Sequence, residues 1–234
     1  MKINQTASTS ASLVEFWLEK GESIRMEPGA MVYKDSCISL QGKVNGGFFS
    51  AIGKVFLGGE SFFTSTATAK ESGRIAVAPR GFGNIKVLNV SQGNHWYIND
   101  GSFLACNTSV DYTSTMQKRL MNSIFGGTGG FFILKSKGQG ELLVNGFGDL
   151  IEINLDGSQP FQIDNGHVVC WEETLDYKME MASGLFGFRS GEGLLNTFRG
   201  KGKVIIQTRN IQSFVDMLVD YIPFPKPEKE KKNG

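Results

Sequence analysis

Two histidines and three cysteines are all that this 234-residue sequence offers of the side chains that most often ligate metals or attack substrates. His95 and His167 lie far apart, and neither sits in an H-x-H or H-x-x-x-H pair, the spacings that set two imidazoles on one face. Cys37, Cys106 and Cys170 are odd in number and form no C-x-x-C pair, which argues against a disulfide framework or a zinc site. Reduced, semi-buried thiols are the expectation. Neither sign of charge dominates: 24 basic and 23 acidic residues leave a formal net charge of +1. No global field therefore draws the chain to nucleic acid or an anionic membrane. Long apolar runs are missing as well. The opening "MKINQTASTSAS" has no signal core, and the late "FVDMLVDYIPF" holds two aspartates and is too short to span a bilayer. The sequence predicts a cytoplasmic protein with no cofactor and no nucleic-acid partner.

Catalytic motifs are scarce too. "GFFSAIGKV", from Gly47 to Val55, has five residues between its glycines where a phosphate loop has four, and Val55 replaces the magnesium-binding hydroxyl. No G-x-S-x-G elbow occurs. The basic groups at Lys118-Arg119, Arg199 to Lys203 and Lys229 to Lys232 are interrupted and lack evenly spaced aromatics, so they read as solvated surface. No catalytic, cofactor or metal residues are assigned from the sequence.

What the sequence has in quantity is glycine and phenylalanine, 30 and 18 residues against six prolines, the signature of many short strands joined by tight turns. "IRMEPGAMV", "YINDGSFLA" and "FQIDNGHVV" repeat one pattern about Gly29, Gly101 and Gly166, which lie 72 and 65 residues apart. Five and three residues before each glycine all copies are apolar, as they are two, nine and eleven after it. Most of these steps keep the period of two that puts side chains on one face of a strand. Asp100-Gly101 and Asn165-Gly166 suit a type I′ turn, and Pro28-Gly29 a type II turn. The three glycines are read as structural turn residues, and His167 as a turn residue beside the last of them.

A second anchor follows in "GRIAV", "GELLV" and "GKVII" after Gly73, Gly140 and Gly202, each preceded by an apolar pair that reads as the opposing strand of a hairpin. A lead-in strand, with Phe16 and Leu18, Leu88 and Val90, or Ile153 and Leu155, precedes each first anchor. Two anchors and a strand recurring in one order point to a triplicated unit. The expected organisation is a flexible tail over 1–11, β repeats over 12–83, 84–148 and 149–209, an amphipathic helix over 210–222 and a charged tail over 223–234. Its arrangement is trimer-like, with the lead-in strand of the first copy closing against the third.

The stretches "MEPGAMVY", "GGESFF" with "GRIAVAP", "WYINDGSFLA", "QIDNGHVVCWEETLDY" and "GEGLLNTFRGKGKVIIQTR" resemble a bacterial member of the mitochondrial biogenesis family, also called altered inheritance of mitochondria. That family belongs to a superfamily resembling the tryptophan RNA-binding attenuation protein. The resemblance implies an all-β fold of three shortened double-stranded β-helix units in pseudo-threefold arrangement. It implies no biochemical activity, and no residue here matches the attenuation protein's tryptophan or RNA sites.

Three functional expectations follow. The leading one is a non-enzymatic scaffold or assembly protein, self-associating or docking on a membrane surface. Its contact surface is placed in the glycine-flanked segments between the hairpins of each copy, at Phe48, Phe125, Phe186 and Phe188. Self-association is favoured because lysines and arginines are few there. The second is a small-ligand-binding barrel with Trp96, Tyr112 and Tyr177 in its pocket. The third is a cryptic hydrolase or metal-dependent enzyme. Asp111-Tyr112 and Asp176-Tyr177, at equivalent positions, are explained by strand alternation alone.

Overall fold

The computed structural model describes residues 1–5, 12–44, 63–99, 101–116, 132–183, 194–219 and 221–222. A short strand, β1 (Lys2–Gln5), precedes three copies of a six-strand unit. The first copy comprises β2 (Val14–Leu18), β3 (Ser23–Met26), β4 (Met31–Lys34), β5 (Ile38–Val44), β6 (Phe63–Ala69) and β7 (Gly73–Val77). The second comprises β8 (Ile85–Val90), β9 (Trp96–Asn99), β10 (Phe103–Asn107), β11 (Val110–Met116), β12 (Phe132–Gly138) and β13 (Gly140–Asn145). The third comprises β14 (Leu150–Asp156), β15 (Phe161–Asp164), β16 (Val168–Glu172), β17 (Asp176–Ser183), β18 (Leu194–Arg199) and β19 (Lys201–Gln207). Among the described residues one helix, α1 (Ile211–Val219), follows.

The copies interlock by sharing sheets. One six-stranded sheet runs β5-β6-β3-β10-β13-β8, half from the first copy and half from the second. The next repeats this order one copy on, as β11-β12-β9-β16-β19-β14. At the two ends the same order is cut in half: β1-β2-β7-β4 in the first copy and β15-β18-β17 in the third. Every pairing between the described strands is antiparallel, but the hairpins expected at the two anchors do not form. The strands before and after each anchor, such as β3 and β4 or β6 and β7, sit in different sheets, so these turns carry the chain from one sheet to the next.

The second anchor glycine has a packing reason. A Cβ on Gly73 would lie 2.5 Å from Cys37 Sγ, on Gly140 2.9 Å from Asn107 Oδ1 and on Gly202 2.6 Å from Thr174 Oγ1. The segment from the end of each unit's third strand into the following loop presses against that backbone. One of its side chains accepts a hydrogen bond from the next N–H: Asp35 from Arg74 at 2.8 Å, Asn107 from Glu141 at 2.5 Å and Glu172 from Lys203 at 2.9 Å. The same ladder end is thereby satisfied three times by one device.

The first anchors are less uniform. Gly29 and Gly101 have φ of +83° and +75°, the left-handed region that glycine reaches without Cβ strain. Among described residues no other type has positive φ, and Gly166 is not in that region. It lies instead in a 3-10 turn, Asn165–His167, where the Asp164 carboxylate accepts from the Gly166 N–H at 2.7 Å. That local bond replaces the expected type I′ turn.

Two further expectations are corrected. Residues 2–5, assigned to a flexible tail, form β1 and pair with β2 from Lys2↔Trp17 to Gln5↔Val14. The lead-in strand β2 lies between β1 and β7 and does not close against the third copy. Its inner face is filled by Val14, Phe16 and Leu18, which belong to the first core and already commit the strand there.

The core has three parts, one per copy, and each of the first two is completed by the next copy. Ile85, Leu104, Ala105 and Leu143 of the second copy enter the first core, and Val169, Cys170 and Ile205 of the third enter the second. A one-residue bulge in each third strand, at Val32, Leu104 and Val169, makes this possible. The bulge sends two successive residues toward the preceding copy, while Phe103 and Cys106, or Val168 and Trp171, face their own.

Candidate functional site

Two features stand out: a polar cavity where the copies' connecting segments meet, and the unpaired strand edges at the two ends.

The cavity, about 500 Å³, is lined by residues of all three copies, among them Glu27, Arg80, Asn99, Asn145, Asn165 and Gln207. The linker after each copy lies against the next: Gly83 bridges to Gly148, and the Asp149 N–H donates to Thr208 Oγ1 at 2.9 Å. A Cβ on Gly83 would meet the Gly146 carbonyl at 1.7 Å, so close approach selects glycine there. The cavity amides mostly hold backbone. Gln207 Nε2 donates to the Gly166 carbonyl at 2.7 Å, while its Oε1 accepts from the Phe147 N–H at 2.8 Å. Asn145 Nδ2 reaches the Phe103 carbonyl at 3.4 Å, and Asn99 Nδ2 the Val168 carbonyl at 3.1 Å. Glu27 and Arg80 form an ion pair at 3.7 Å on the rim, with Arg80 largely exposed. Such a lining can bind a hydrogen-bonding ligand, and its lining residues include neither histidine nor cysteine.

Each sheet has two edge strands, and two of them, β4 and β15, stand where their equivalents in the other copies are paired on both sides. Among the described strands β4 pairs with β7 alone where β10 and β16 each have two partners, and β15 pairs with β18 alone where β3 and β9 each have two. Val32 and Tyr33 on β4 are 52% and 43% exposed, whereas their equivalents Leu104, Ala105, Val169 and Cys170 are wholly buried. Phe161 on β15 is 39% exposed, whereas its equivalents Ile24 and Trp96 are buried. The Tyr33 hydroxyl donates to Glu15, whose other oxygen accepts from Trp17 Nε1 at 3.1 Å. Tyr33 and Trp17 are thus exposed aromatics held in place, with Arg74 5.5 Å above the Trp17 ring.

The residues singled out from the sequence fall elsewhere. Phe48, Phe125, Phe186 and Phe188 lie outside the described residues. His167 serves the turn: its Nδ1 is 2.8 Å from the Gln207 carbonyl, and its Nε2 is 3.4 Å from Asn210 Nδ2. Trp96, Tyr112 and Tyr177 do not share a pocket. Trp96 is buried in the second core, Tyr112 packs against it from beside Phe103, and Tyr177 stands on Trp171 in the third. Cys106 is buried, and burial pushes its thiol pKa up to about 12; Cys170 is pushed up further for the same reason. Neither is poised as a thiolate nucleophile. Among the described residues no group of three or more His, Cys, Asp or Glu side chains could hold a metal, and no helix is long and apolar enough to cross a membrane.

An open edge at the third copy is expected from the sequence, to be covered by the first lead-in strand or a second chain; the edge at β4 is not, although "MVY" is apolar there.

Fold and site first define a class: an all-β protein of three interlocked repeats with one short helix after them. The sequence pattern described as mitochondrial biogenesis AIM24 matches residues 4–209, and the chain belongs to that family. It is 37% identical over 230 residues to an uncharacterized protein of Streptococcus pyogenes serotype M6, covering 95% of this chain and 92% of that one. It also resembles the crystal structure of a protein from Streptococcus pyogenes, with a TM-score of 0.81 and 36% identity over 94% of this chain and 99% of the other.

Proposed function

We propose that this protein is a non-enzymatic assembly protein that works through its sheet edges. One observation carries the reading: Val32, Tyr33 and Phe161 are exposed at positions whose equivalents in the other copies are buried against a neighbouring unit. An edge strand presents unpaired N–H and C=O groups, and soluble proteins ordinarily blunt such edges with charge, proline or a cover. Lys34 supplies one charge to β4, but Met31, Val32 and Tyr33 before it are exposed and apolar. Addition of a strand at such an edge is a common mode of protein recognition. The test is mass by light scattering against concentration. Wild type should gain mass as concentration rises, and Val32→Glu should hold it at one chain while keeping its thermal midpoint. A wild type that stays at one chain throughout removes this reading.

A small-ligand-binding function is the second reading, favoured by the 500 Å³ cavity. A thermal-shift screen with amino acids, nucleotides and divalent metals separates the two. Saturable stabilisation by one compound, lost in Gln207→Ala, would favour the cavity. Membrane docking is weighed by α1, which exposes Ile211, Val215 and Leu218 but contains neither lysine nor arginine. Anionic vesicles should therefore leave the protein in the supernatant.

A further inference from the structure

We propose that copies of this chain join head to tail, the β15 edge of one pairing antiparallel with the β4 edge of the next, in the register Ile163↔Tyr33, Gln162↔Lys34 and Phe161↔Asp35. The inference rests on the assembly reading and specifies its partner: a second copy of this chain.

The register comes from the two junctions already present inside the chain. At the first, β3 pairs with β10 as Met26↔Ala105, Arg25↔Cys106 and Ile24↔Asn107. At the second, β9 pairs with β16 as Ile98↔Cys170, Tyr97↔Trp171 and Trp96↔Glu172. Counted from the anchor glycines Gly29, Gly101 and Gly166, these are the same three positions on each side. Carrying them one step on from the third copy gives Ile163, Gln162 and Phe161 against Tyr33, Lys34 and Asp35. The end sheets match as halves. Placing β15 beside β4 yields β17-β18-β15-β4-β7-β2, the strand order of both complete sheets, with β1 added outside β2.

Side chains agree with the backbone. At both internal junctions the bulge sends two residues into the preceding core, Leu104 with Ala105 and Val169 with Cys170. Val32 and Tyr33 stand at those positions with no preceding core to enter. The next-door positions exchange size. Small Ala105 is paired with large Leu143 and Cys170 with Ile205, whereas large Tyr33 is paired with small Ala76. A cross-strand pair of one large and one small residue is thus kept at all three, as close packing at a shared layer requires. On the other side, Phe161 replaces Ile24 and Trp96, which their following copies help to bury. An isologous dimer would set β4 against β4 and lose all of these correspondences. A head-to-tail contact is heterologous and propagates until the rotation per step closes a ring or a filament continues.

The test uses the full chain carrying Cys37→Ser, since Cys37 is half-buried and three residues from Lys34. Lys34→Cys and Gln162→Cys are made in separate chains, whose thermal midpoints should match the parent. Cross-strand neighbours have Cα separations within disulfide reach. Mixed and oxidised, the two variants should form a covalent heterodimer as the main species, while neither alone does. A chain with both substitutions should give a ladder of covalent multimers. Closure of that double variant on itself as a single chain overturns the proposal in favour of an intrachain junction. Dimers from either variant alone overturn it in favour of an isologous contact. If mass rises with concentration but the mixture gives no heterodimer, the head-to-tail register falls and the assembly reading stands. A mass of one chain at every concentration removes both.

Discussion

The two junctions inside the chain share one backbone plan and differ in what fills it. At the first, the residue of β10 that faces its own core across from Arg25 is Cys106; at the second, the equivalent residue of β16, across from Tyr97, is Trp171. Trp171 stacks on Tyr97 at 5.6 Å and meets Tyr177 and Phe198 edge-on at 4.7 and 5.5 Å. The first junction relies instead on Arg25, whose Nη2 donates to the Thr108 and Val110 carbonyls, both at 2.7 Å. Strand register is therefore set by the repeat, while the cohesive chemistry of each junction was free to diverge.

The largest effect should come from emptying the aromatic junction. Trp171→Ala removes a buried ring with three aromatic neighbours and should cost about 3–5 kcal/mol in denaturant unfolding. Among the described residues Trp171 Nε1 meets no hydrogen-bond partner, so the contribution is packing, and Trp171→Phe should cost far less. Cys106→Ala, the same position at the first junction, should cost about 1 kcal/mol. Equal losses from the two alanine variants would show that the junctions do not differ as their contacts imply.

Next is Arg25→Ala, expected to cost about 1–3 kcal/mol by stranding two carbonyls that the guanidinium now serves. Its ion pair with Asp111 is 3.4 Å long and Asp111 is well exposed, so Asp111→Ala should change stability by less than about 1 kcal/mol. A double-mutant cycle that assigned most of the Arg25 effect to Asp111 would reverse this ranking.

The turns that lead into the junctions give a smaller contrast. Gly101→Val places a β-branched residue at φ +75° and should cost about 1–2 kcal/mol. Gly166→Val meets no such strain. Its Cβ faces Asp164 Oδ1 at 3.1 Å, so the Asp164 side chain must shift, and the loss should be the smaller of the two. Denaturant midpoints for the pair settle the order.

Much of this fold was legible because the unit repeats three times. Period-two apolar positions such as Ile24, Trp96 and Phe161 recur with two anchors in one order, so strands and copies could be placed by alignment of the chain with itself. The helix was legible from Ile211, Phe214, Val215 and Leu218, but its cover was not: the Phe214 ring meets that of Phe147 at a tilt, their centroids 5.5 Å apart, and none of the residues of α1 is buried. Which strand pairs across copies was hidden, because β3 and β10 lie on opposite sides of an anchor in different copies and nothing local joins them. Gly166 misled for a local reason, since Asn-Gly favours a hairpin turn until the Asp164 side chain offers its N–H another partner. The polar cavity was invisible because its amides, Asn99, Asn145, Asn165 and Gln207, come from strand ends and a turn of two copies that meet only once the sheets interlock.

The smallest predicted difference concerns acid. At the second junction Glu152 bridges Lys203 and Lys86, each at 2.8 Å, and Lys86 belongs to the neighbouring copy. The equivalent residue at the first junction is Val87, which packs against the first core. Hydrogen bonds from Lys203 first and Lys86 second lower the Glu152 pKa below its ordinary value of 4.5. A carboxylate whose folded pKa is depressed stabilises the fold above its unfolded pKa, and that contribution is lost as pH falls through the folded value. The second junction should thus weaken as pH drops below 4.5, and the first has no corresponding group. All three charges are partly exposed, so the term is screened and on the order of 1 kcal/mol or less. Glu152→Gln should flatten the acid limb of stability against pH, and high salt should flatten the wild type in the same way. If Glu152→Gln leaves the slope below pH 4.5 unchanged at low salt, the lysine bridge adds nothing to that junction, and its cohesion is carried by the aromatic cluster alone.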